Sequence, residues 1–550
     1  MSENTANTQK KMQSPLLKRK LFLYLTEFFS GMSVMAVELG ASRLLAPYFS
    51  SSQIVWTIII GTIMIAMALG NYYGGRSADK DPDPDRLYKR ILVAAVWIAA
   101  IPFIGKLVIL GVSALLIVTI STGFLIWAAF LACMIIFVYP LFLLGTVTPS
   151  LVKYTTQSLE DNGSTVGTLG AYNTIGSIIG TFAPTFITIP AVGTSVTFLI
   201  FSGVLLGLGL VYFISCKRGT VRLAVCGVLF VLCCVLSTRF GFAFWETKLV
   251  YEGESIYNYL QVNEDDEKLA LSTNVLFGVQ SVYMKNDSLS GLYYDTAMAA
   301  PLMSEGGEES SLLVLGMGTG TYAKQCLHYY PAMTAEGVEI DEKITSLAHT
   351  YFELDKDIKV VTYDGRAYLE GLDRAYKRGE AERDRFDVIM VDAYQDITIP
   401  FQMSTEEFFR LVYDHLKPGG VMVVNMNMQS RSEDSINYYL ADTISSVFES
   451  VCTSDVPWST NRELFAFKDA EALGRFEGRI DGLEDPDLRD CMERVYGSLK
   501  GYEPGDRLLT DDKAPVELLG MRVIDELISK ELEHYKKVFK EEGIKGLLEG

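Results

Sequence analysis

The 550-residue chain is 49% apolar and only 21% charged, with a formal net charge of -19 and a mean hydropathy of +0.21. A positive mean hydropathy with so little charge excludes a single compact water-soluble fold. The charge is also unevenly placed: residues 1–244 carry 17 Lys and Arg against 9 Asp and Glu, a net of +8, and the remainder carries a net of -27. An apolar, weakly basic half therefore precedes an acidic half of about 300 residues, ample for a globular core. The acidic balance excludes nucleic acid as a partner, since that binding needs a Lys/Arg surface. The eight cysteines show no CxxC or Cys/His pairing and the four histidines lie far apart. A metal site is therefore not expected, and a reducing compartment fits.

In chain order, residues 1–20 read as a cytoplasmic tail carrying Lys10, Lys11, Lys18, Arg19 and Lys20. Residues 21–240 read as a multipass α-helical transmembrane bundle in a cell (inner) membrane. Its apolar runs lie at 21–45, 54–75, 90–105, 107–121, 123–147, 166–190, 194–214 and 221–237. A bilayer core takes about 20 helical residues. The short third and fourth runs, parted by Pro102, Gly105 and Lys106, thus make two crossings or one kinked crossing, giving eight or seven in all. Apolar runs recurring this far along the chain argue against a cleaved signal peptide. Basic flanks mark the cytoplasmic face, and those before the first span and at Arg76, Lys80, Arg86, Lys89 and Arg90 put both segments inside. With eight spans Lys217, Arg218 and Arg222 fall outside; with seven they fall inside, but the acidic half is then exported.

Glu27 and Glu38 lie within the first span, with Arg43 beyond them. An ionisable group in lipid is costly and faces a partner or a cavity. One account is a Glu38–Arg43 pair near the interface; the other is a polar cavity for a charged or amine-bearing small molecule. Small residues at 163, 167, 170/171, 176/177 and 180 have the spacing that lets helices approach closely, and Asn173 within that stripe is a further polar candidate.

From Ser311 the acidic half alternates strands and helices, the signature of a parallel, doubly wound sheet. Leu312–Leu315 is a buried-strand run followed by Gly316-Met-Gly318-Thr319-Gly320. Strands ending at Glu339, at Asp364-Gly365 and at Asp392 follow, and a fifth spans Gly419–Asn425. In such sheets ligands bind beyond the strands' carboxyl ends. The glycines allow close backbone approach, Glu339 is placed to accept both ribose hydroxyls, and an acid after the third strand can meet an adenine amino group.

Those four stations, in that order, resemble the spermidine synthase (polyamine aminopropyltransferase) family, and the whole architecture resembles its bacterial fused form with an N-terminal multipass membrane region. The resemblance implies an α/β class I methyltransferase-like (Rossmann-like) doubly wound sheet over 306–550 and a small β-rich cap over 245–305. Glu254-Ser-Ile-Tyr257-Asn258 resembles the family's E-[TS]-x-Y-Q segment, with Asn258 replacing Gln. Tyr293-Tyr294-Asp295-Thr, followed by Pro301, resembles its Y-[HQ]-E-M segment. The family's D-S-x-D-P loop reads here Asp392-Ala-Tyr-Gln-Asp396, with Pro400 four residues further on and one residue inserted between the acids. By resemblance, Asp392 and Asp396 are catalytic. Asn258, Gly316, Gly318, Thr319, Gly320, Glu339, Asp364, Gly365 and Pro400 meet the nucleoside cosubstrate, and Tyr257, Gln280, Tyr294 and Asp295 meet the amine. The segment Leu509–Glu517 also resembles the fused proteins, with no role attached.

The implied cosubstrate is decarboxylated or intact S-adenosylmethionine; the partners are a small-molecule amine and the lipid bilayer, with a homodimer open, and no metal is required. An amine attacks a sulfonium-activated carbon only when deprotonated, so a carboxylate must hold the ammonium and take its proton. Asp392 suits that task. The family's glycine loop carries an Asp for the donor's aminopropyl ammonium, and Thr319 stands there instead. Three activities follow: aminopropyl transfer to a diamine or polyamine; methyl or aminocarboxypropyl transfer, or cleavage, of intact S-adenosylmethionine; and a polyamine transporter or sensor with a nucleoside-binding domain. A cytoplasmic cosubstrate calls for an even number of spans, keeping the acidic half in the cytoplasm.

Overall fold

The structure, a computed structural model, describes residues 19–549 except 51, 121, 157–161, 276–277, 383–384, 395–398, 428–429, 431 and 433. It divides into two compact units. Met1–Glu246, Gly253–Tyr259 and Glu531–Gly550 form one, and Thr247–Glu252 with Leu260–Lys530 form the other.

The first unit is helical: α1 (Lys20–Phe49), α2 (Gln53–Lys80), α3 (Pro84–Thr119), α4 (Phe124–Gly145), α5 (Val147–Thr155), α6 (Asn162–Ala183), a π-helical turn (Pro184–Thr188), α7 (Ile189–Ser215) and α8 (Thr220–Arg239). Among the described residues, six helices are long and apolar enough to cross a membrane. The expected runs at 90–105 and 107–121 are one helix, because α3 continues through Pro102 for 36 residues. Lys106 does not interrupt it: the side chain is buried, and its ammonium donates to the Phe240 carbonyl at 2.7 Å and lies 4.3 Å from the Phe242 ring centre. The runs at 166–190 and 194–214 share a 54-residue helical stretch, Asn162–Ser215, broken at Gly193, whose φ of 80° and ψ of 169° leave the helical region.

Glu27 is fully buried in this unit. One carboxylate oxygen accepts from the Thr148 hydroxyl at 2.6 Å and from the Asn173 amide at 2.8 Å. Asn173 therefore joins α6 to α1 through a hydrogen bond. The glycine stripe is used only in part. A Cβ at Gly176 or Gly180 would collide with the carbonyls of Phe28 or Met32 on α1, whereas Gly163, Gly167 and Gly170 face open space. Between membrane helices close backbone approach itself supplies much of the attraction. Gly180→Leu should therefore cost about 2–3 kcal/mol by overpacking while Gly167→Leu stays near neutral, as read by thermal unfolding in detergent; equal effects would refute the α1–α6 contact.

A four-stranded sheet follows, β1 (Leu249–Glu254), β2 (Tyr259–Glu264), β3 (Lys268–Ser272) and β4 (Ser281–Met284), in sequential order, which belongs to the second unit except for Gly253–Tyr259. Leu260, Val262, Leu269 and Leu271 from it pack with Ile344, Leu347 and Phe352, so the alternating apolar positions of β2 and β3 have a defined target. The short helices α9 (Tyr293–Ala297) and α10 (Ala299–Met303), expected within the cap, belong instead to the main apolar core with Val314, Met390 and Phe465.

The main sheet contains β5 (Ser311–Leu315), β6 (Thr334–Glu339), β7 (Lys359–Thr362), β8 (Phe386–Val391), β9 (Leu416–Met426), β10 (Ser450–Asp455), β11 (Arg462–Phe467) and β12 (Lys500–Gly501), in the order β12-β10-β11-β9-β8-β5-β6-β7. The run from β9 to β7 is parallel, and β11 and β10 are antiparallel. Central parallel strands are covered on both faces, and β8 is accordingly buried at all six positions. Strand order reverses between β5 and β8, which opens the crevice at their carboxyl ends. The helices α11 (Thr321–Tyr329), α12 (Glu342–Tyr351), α13 (Gly365–Lys377), α14 (Glu406–His415), α15 (Ile436–Ser445), α16 (Ala472–Ile480), α17 (Pro486–Ser498) and α18 (Val516–Glu549) complete the chain.

Candidate active site

The loop after β5 requires its glycines. Gly316 has φ 84°, and a Cβ there would lie 2.7 Å from the Ala393 Cα and the Asp392 carbonyl. Gly318, at φ 57°, turns its N–H toward Glu339 at the end of β6, donating to Oε2 at 2.8 Å. The other oxygen of Glu339 accepts from the Asp341 N–H at 3.0 Å. Burial pushes the Glu339 carboxyl up to about 7 against the pull of these N–H groups. A carboxylate offers about four acceptor positions, so Glu339 braces the loop through backbone N–H groups and retains acceptor capacity toward the crevice. Thr319 is buried; its N–H donates to Ser281 Oγ at 3.1 Å, and its hydroxyl has no hydrogen-bond partner among the described residues. Thr321 exchanges hydrogen bonds with Val282 at 2.7 and 3.0 Å, tying β4 to the start of α11. Asp364 caps α13 through the Ala367 N–H at 2.8 Å, and a Cβ on Gly365 would press on the Met403 methyl at 3.1 Å.

Asp392 follows β8 directly and is buried. The Tyr293 hydroxyl donates to its Oδ2 at 2.8 Å, and the Asn425 amide donates to its Oδ1 at 3.0 Å. Asn425 is oriented by the Asn461 amide, which donates to its Oδ1 at 2.8 Å. Burial, which outweighs these two hydrogen bonds, pushes the Asp392 carboxyl up to about 7, and the charge of Glu339 adds to the shift. Two carboxyls poised near neutrality at the crevice of an α/β sheet form an arrangement suited to accepting a proton.

The remaining candidates divide. Tyr294 donates to the Gln280 carbonyl at 2.8 Å, so Gln280 enters through its backbone, and the Tyr294 ring lies 4.0 Å from that of Tyr293, tilted by 34°. Asp295 is fully engaged within the protein: it accepts from Ser290 N–H at 2.9 Å, Ser290 Oγ at 2.7 Å, Gly291 N–H at 2.6 Å and Gln325 Nε2 at 3.0 Å. It therefore fastens the 290–291 turn rather than presenting itself to an amine. Tyr257 and Asn258 lie in the turn before β2, where Ser255 Oγ accepts both N–H groups at 3.0 and 2.9 Å, and this turn clusters with the helical unit. Asp396 lies outside the described residues. Pro400 opens the turn Phe401–Met403.

Tyr293 and Asn425, which hold Asp392, are absent from the sequence-based set, as is the buried Glu463, which stands opposite Asn425 on β11. Asn425 carried a usable signal, a polar residue ending an otherwise apolar parallel strand, as Asp392 does. Glu463 carried another, since it shares the strand phase of buried Phe465 and Phe467. The Leu509–Glu517 segment also gains a role. Asp511 pairs with both terminal nitrogens of Arg366 at 2.7 and 2.6 Å and accepts from Thr405 Oγ1 at 2.8 Å, while Arg366 donates to the Gln402 carbonyl at 3.0 Å. It anchors the far end of the loop that leaves Asp392.

A spermine/spermidine synthase domain matches residues 292–464, the stretch containing Tyr293, the glycine loop, Asp392 and Glu463. A probable polyamine aminopropyl transferase of Bifidobacterium longum (strain NCC 2705) is 52% identical over 356 residues, 62% of this chain and 77% of that protein. A polyamine aminopropyltransferase of Vibrio vulnificus (strain CMCP6) is 25% identical over 308 residues, 53% of this chain and 97% of that protein. The crystal structure of a probable spermidine synthase from Corynebacterium glutamicum aligns with 47% of this chain and 98% of its own, at 18% identity and a TM-score of 0.36. With an α/β sheet of this order, acids at or just beyond the ends of β6, β7 and β8, and a relative 52% identical and matched over three quarters of its length, the chain belongs to the spermidine synthase (polyamine aminopropyltransferase) family of transferases.

Proposed function

We propose that the chain transfers the aminopropyl group of decarboxylated S-adenosylmethionine to an amine of a diamine or polyamine, with Asp392 as the base. The observation that carries this is the buried Asp392 carboxylate, fixed by Tyr293 and Asn425 at the carboxyl end of β8 beside the glycine loop. The acceptor arrives as an ammonium and gives a proton to Asp392. The freed nitrogen attacks the carbon beside sulfur; the N–C bond forms, the S–C bond breaks, and methylthioadenosine leaves as a neutral thioether. Tyr293 stays protonated, since burial raises its hydroxyl well above the ordinary range, and so remains a donor to Asp392.

Asp392→Asn keeps the shape and removes the base. Turnover should fall about 10²- to 10⁴-fold, with methylthioadenosine affinity within a few-fold of wild type; an unchanged rate refutes the assignment. Asp392 is protonated below about 7, so kcat/KM should rise with pH through that region and then level. Because Glu339 titrates in the same range, the limb belongs to the coupled pair.

Thr319 supports a second reading, use of intact S-adenosylmethionine, because a neutral hydroxyl neither attracts the donor's ammonium nor repels a carboxylate. Thr319→Asp should shift relative affinity at least tenfold toward the decarboxylated donor, given a charge pair worth up to ~4 kcal/mol at 4 Å and an effective dielectric near 20. Competition binding of the two donors checks this. A wild type that already strongly prefers the decarboxylated donor removes the second reading.

The membrane reading changes with the helix count. A 54-residue stretch would be about 80 Å long if straight, against about 30 Å of hydrocarbon, so the break at Gly193 supports two crossings and seven in total. Lys153–Asp79 at 2.9 Å and Tyr212–Asp85 at 2.7 Å then mark one face. Lys106–Phe240 and Arg43–Ile256 mark the other. Lys80, Arg86, Lys89, Lys153, Lys217 and Arg222 gather on the first face, which the basic-residue rule makes cytoplasmic, and the chain leaves α8 on the opposite one. With seven crossings the α/β unit lies opposite the basic face, so transfer from a cytoplasmic donor requires that one stretch not cross, as in the count of six long apolar helices. Reporters in the Lys80–Pro84 loop and after residue 550 should give equal, cytoplasmic signals under the transfer reading; opposite signals would establish seven crossings and refute it.

A further inference from the structure

We propose that Glu463 is a second carboxylate of the amine site and receives the acceptor ammonium that Asp392 does not, an assignment that rests on the aminopropyl-transfer reading above. Glu463 stands on β11 directly opposite Asn425 of β9, and cross-strand partners in an antiparallel pair project to the same face. Asn425 gives its amide to Asp392, which follows the adjacent strand β8. Asp392, Asn425 and Glu463 thus form a row across three neighbouring strands at the ligand end of the sheet. With strands about 4.8 Å apart, the two carboxylates spring from backbones about 10 Å apart.

Glu463 has no exposed surface, and neither of its carboxylate oxygens has a hydrogen-bond partner among the described residues. Its neighbours in function are all engaged: Asp392 by Tyr293 and Asn425, Glu339 by Gly318 and Asp341. A buried carboxyl left with both oxygens idle is strongly disfavoured unless it is neutral or a cation joins it. Packing gives no reason for it, because an apolar side chain of similar volume beside Phe465 and Phe467 would be more favourable. Burial and the nearby Asp392 hold its carboxyl well above the ordinary range, so the ligand-free protein keeps it uncharged and an arriving ammonium draws out its ionised form. A diamine carries two ammonium groups. The reacting one surrenders a proton to Asp392; the other keeps its charge and needs its own counter-ion, which Glu463 supplies.

The test titrates diaminobutane and butylamine into full-length, detergent-solubilised protein saturated with methylthioadenosine. Wild type should bind the diamine at least tenfold more tightly than the monoamine. Glu463→Gln should weaken diamine binding at least tenfold and leave butylamine and methylthioadenosine within about twofold, while Glu463→Asp keeps part of the preference. Should the glutamine variant not fold, Glu463→Met carries the same expectation without the desolvation cost of an amide. A wild type with equal affinity for both amines, or a Glu463→Gln or Glu463→Met variant with the full preference, overturns the assignment. Transfer activity is scored separately. An active wild type without the diamine preference overturns Glu463 alone, whereas an inactive wild type with it overturns the transfer reading and leaves Glu463 as a diamine ligand.

Discussion

A base that takes a proton from an ammonium has to be ionised when the substrate arrives, yet the site that excludes water from the sulfonium penalises that charge. In the proposed reaction that base is Asp392, which has two neutral donors, the Tyr293 hydroxyl and the Asn425 amide, one on each oxygen. Neither donor is a cation, so neither stabilises the carboxylate enough to abolish its basicity, and the carboxyl stays near 7. An arginine in either place would hold it far lower and leave a poor base. Much of the surrounding architecture serves these two contacts: α9 is built into the main core to carry Tyr293, and Asn461 orients the Asn425 amide.

The parts of this centre that were legible in the sequence share one physical origin. A central parallel strand is an apolar run, and the first polar residue after it lies at the crevice, so Glu339, Asp364 and Asp392 announce themselves by position. Asn425 obeys the same rule and is overlooked only because an amide is not itself a base. Tyr293 is different. It is one of two adjacent tyrosines on a five-residue helix, and which of them points to Asp392 depends on how that helix seats on the sheet. Asp295 misleads for the opposite reason: a carboxylate within a family-like segment looks available, but its acceptor positions are filled by Ser290, Gly291 and Gln325. Asp511 is more than a hundred residues from Arg366 in sequence, and no local pattern links them.

In the helical unit the expected breaks between apolar runs fall where the helices part or kink, except the one at Lys106. Lys106 in an apolar run looks like an interface, and only the Phe240 carbonyl and Phe242 ring explain how the charge is accommodated inside a continuous helix. Gly193 lies in the gap between the runs 166–190 and 194–214, and it carries the one non-helical backbone conformation in α7. There the Thr194 N–H and hydroxyl turn to Glu254, at 2.7 and 2.5 Å. The break is thus coupled to a long-range partner sixty residues on.

Charge in the α/β unit is distributed in a way that bears on selectivity. A donor differing from its competitor by one carboxylate is sorted by the charge near its tail, and there this chain offers the buried, neutral Thr319 hydroxyl. A diamine is sorted by how many ammonium groups find a counter-ion, and there Asp392 is accompanied by Glu463 one amide further along the row. In the proposed reading, charge therefore discriminates at the acceptor end of the crevice and not at the donor end. This also limits how it operates, because three carboxyls disfavoured as anions by burial, Glu339, Asp392 and Glu463, cannot all ionise in an empty site. Cationic ligands supply the missing charge. The protonation state of the centre is therefore a property of the complex, and acceptor binding and base activation are one electrostatic event.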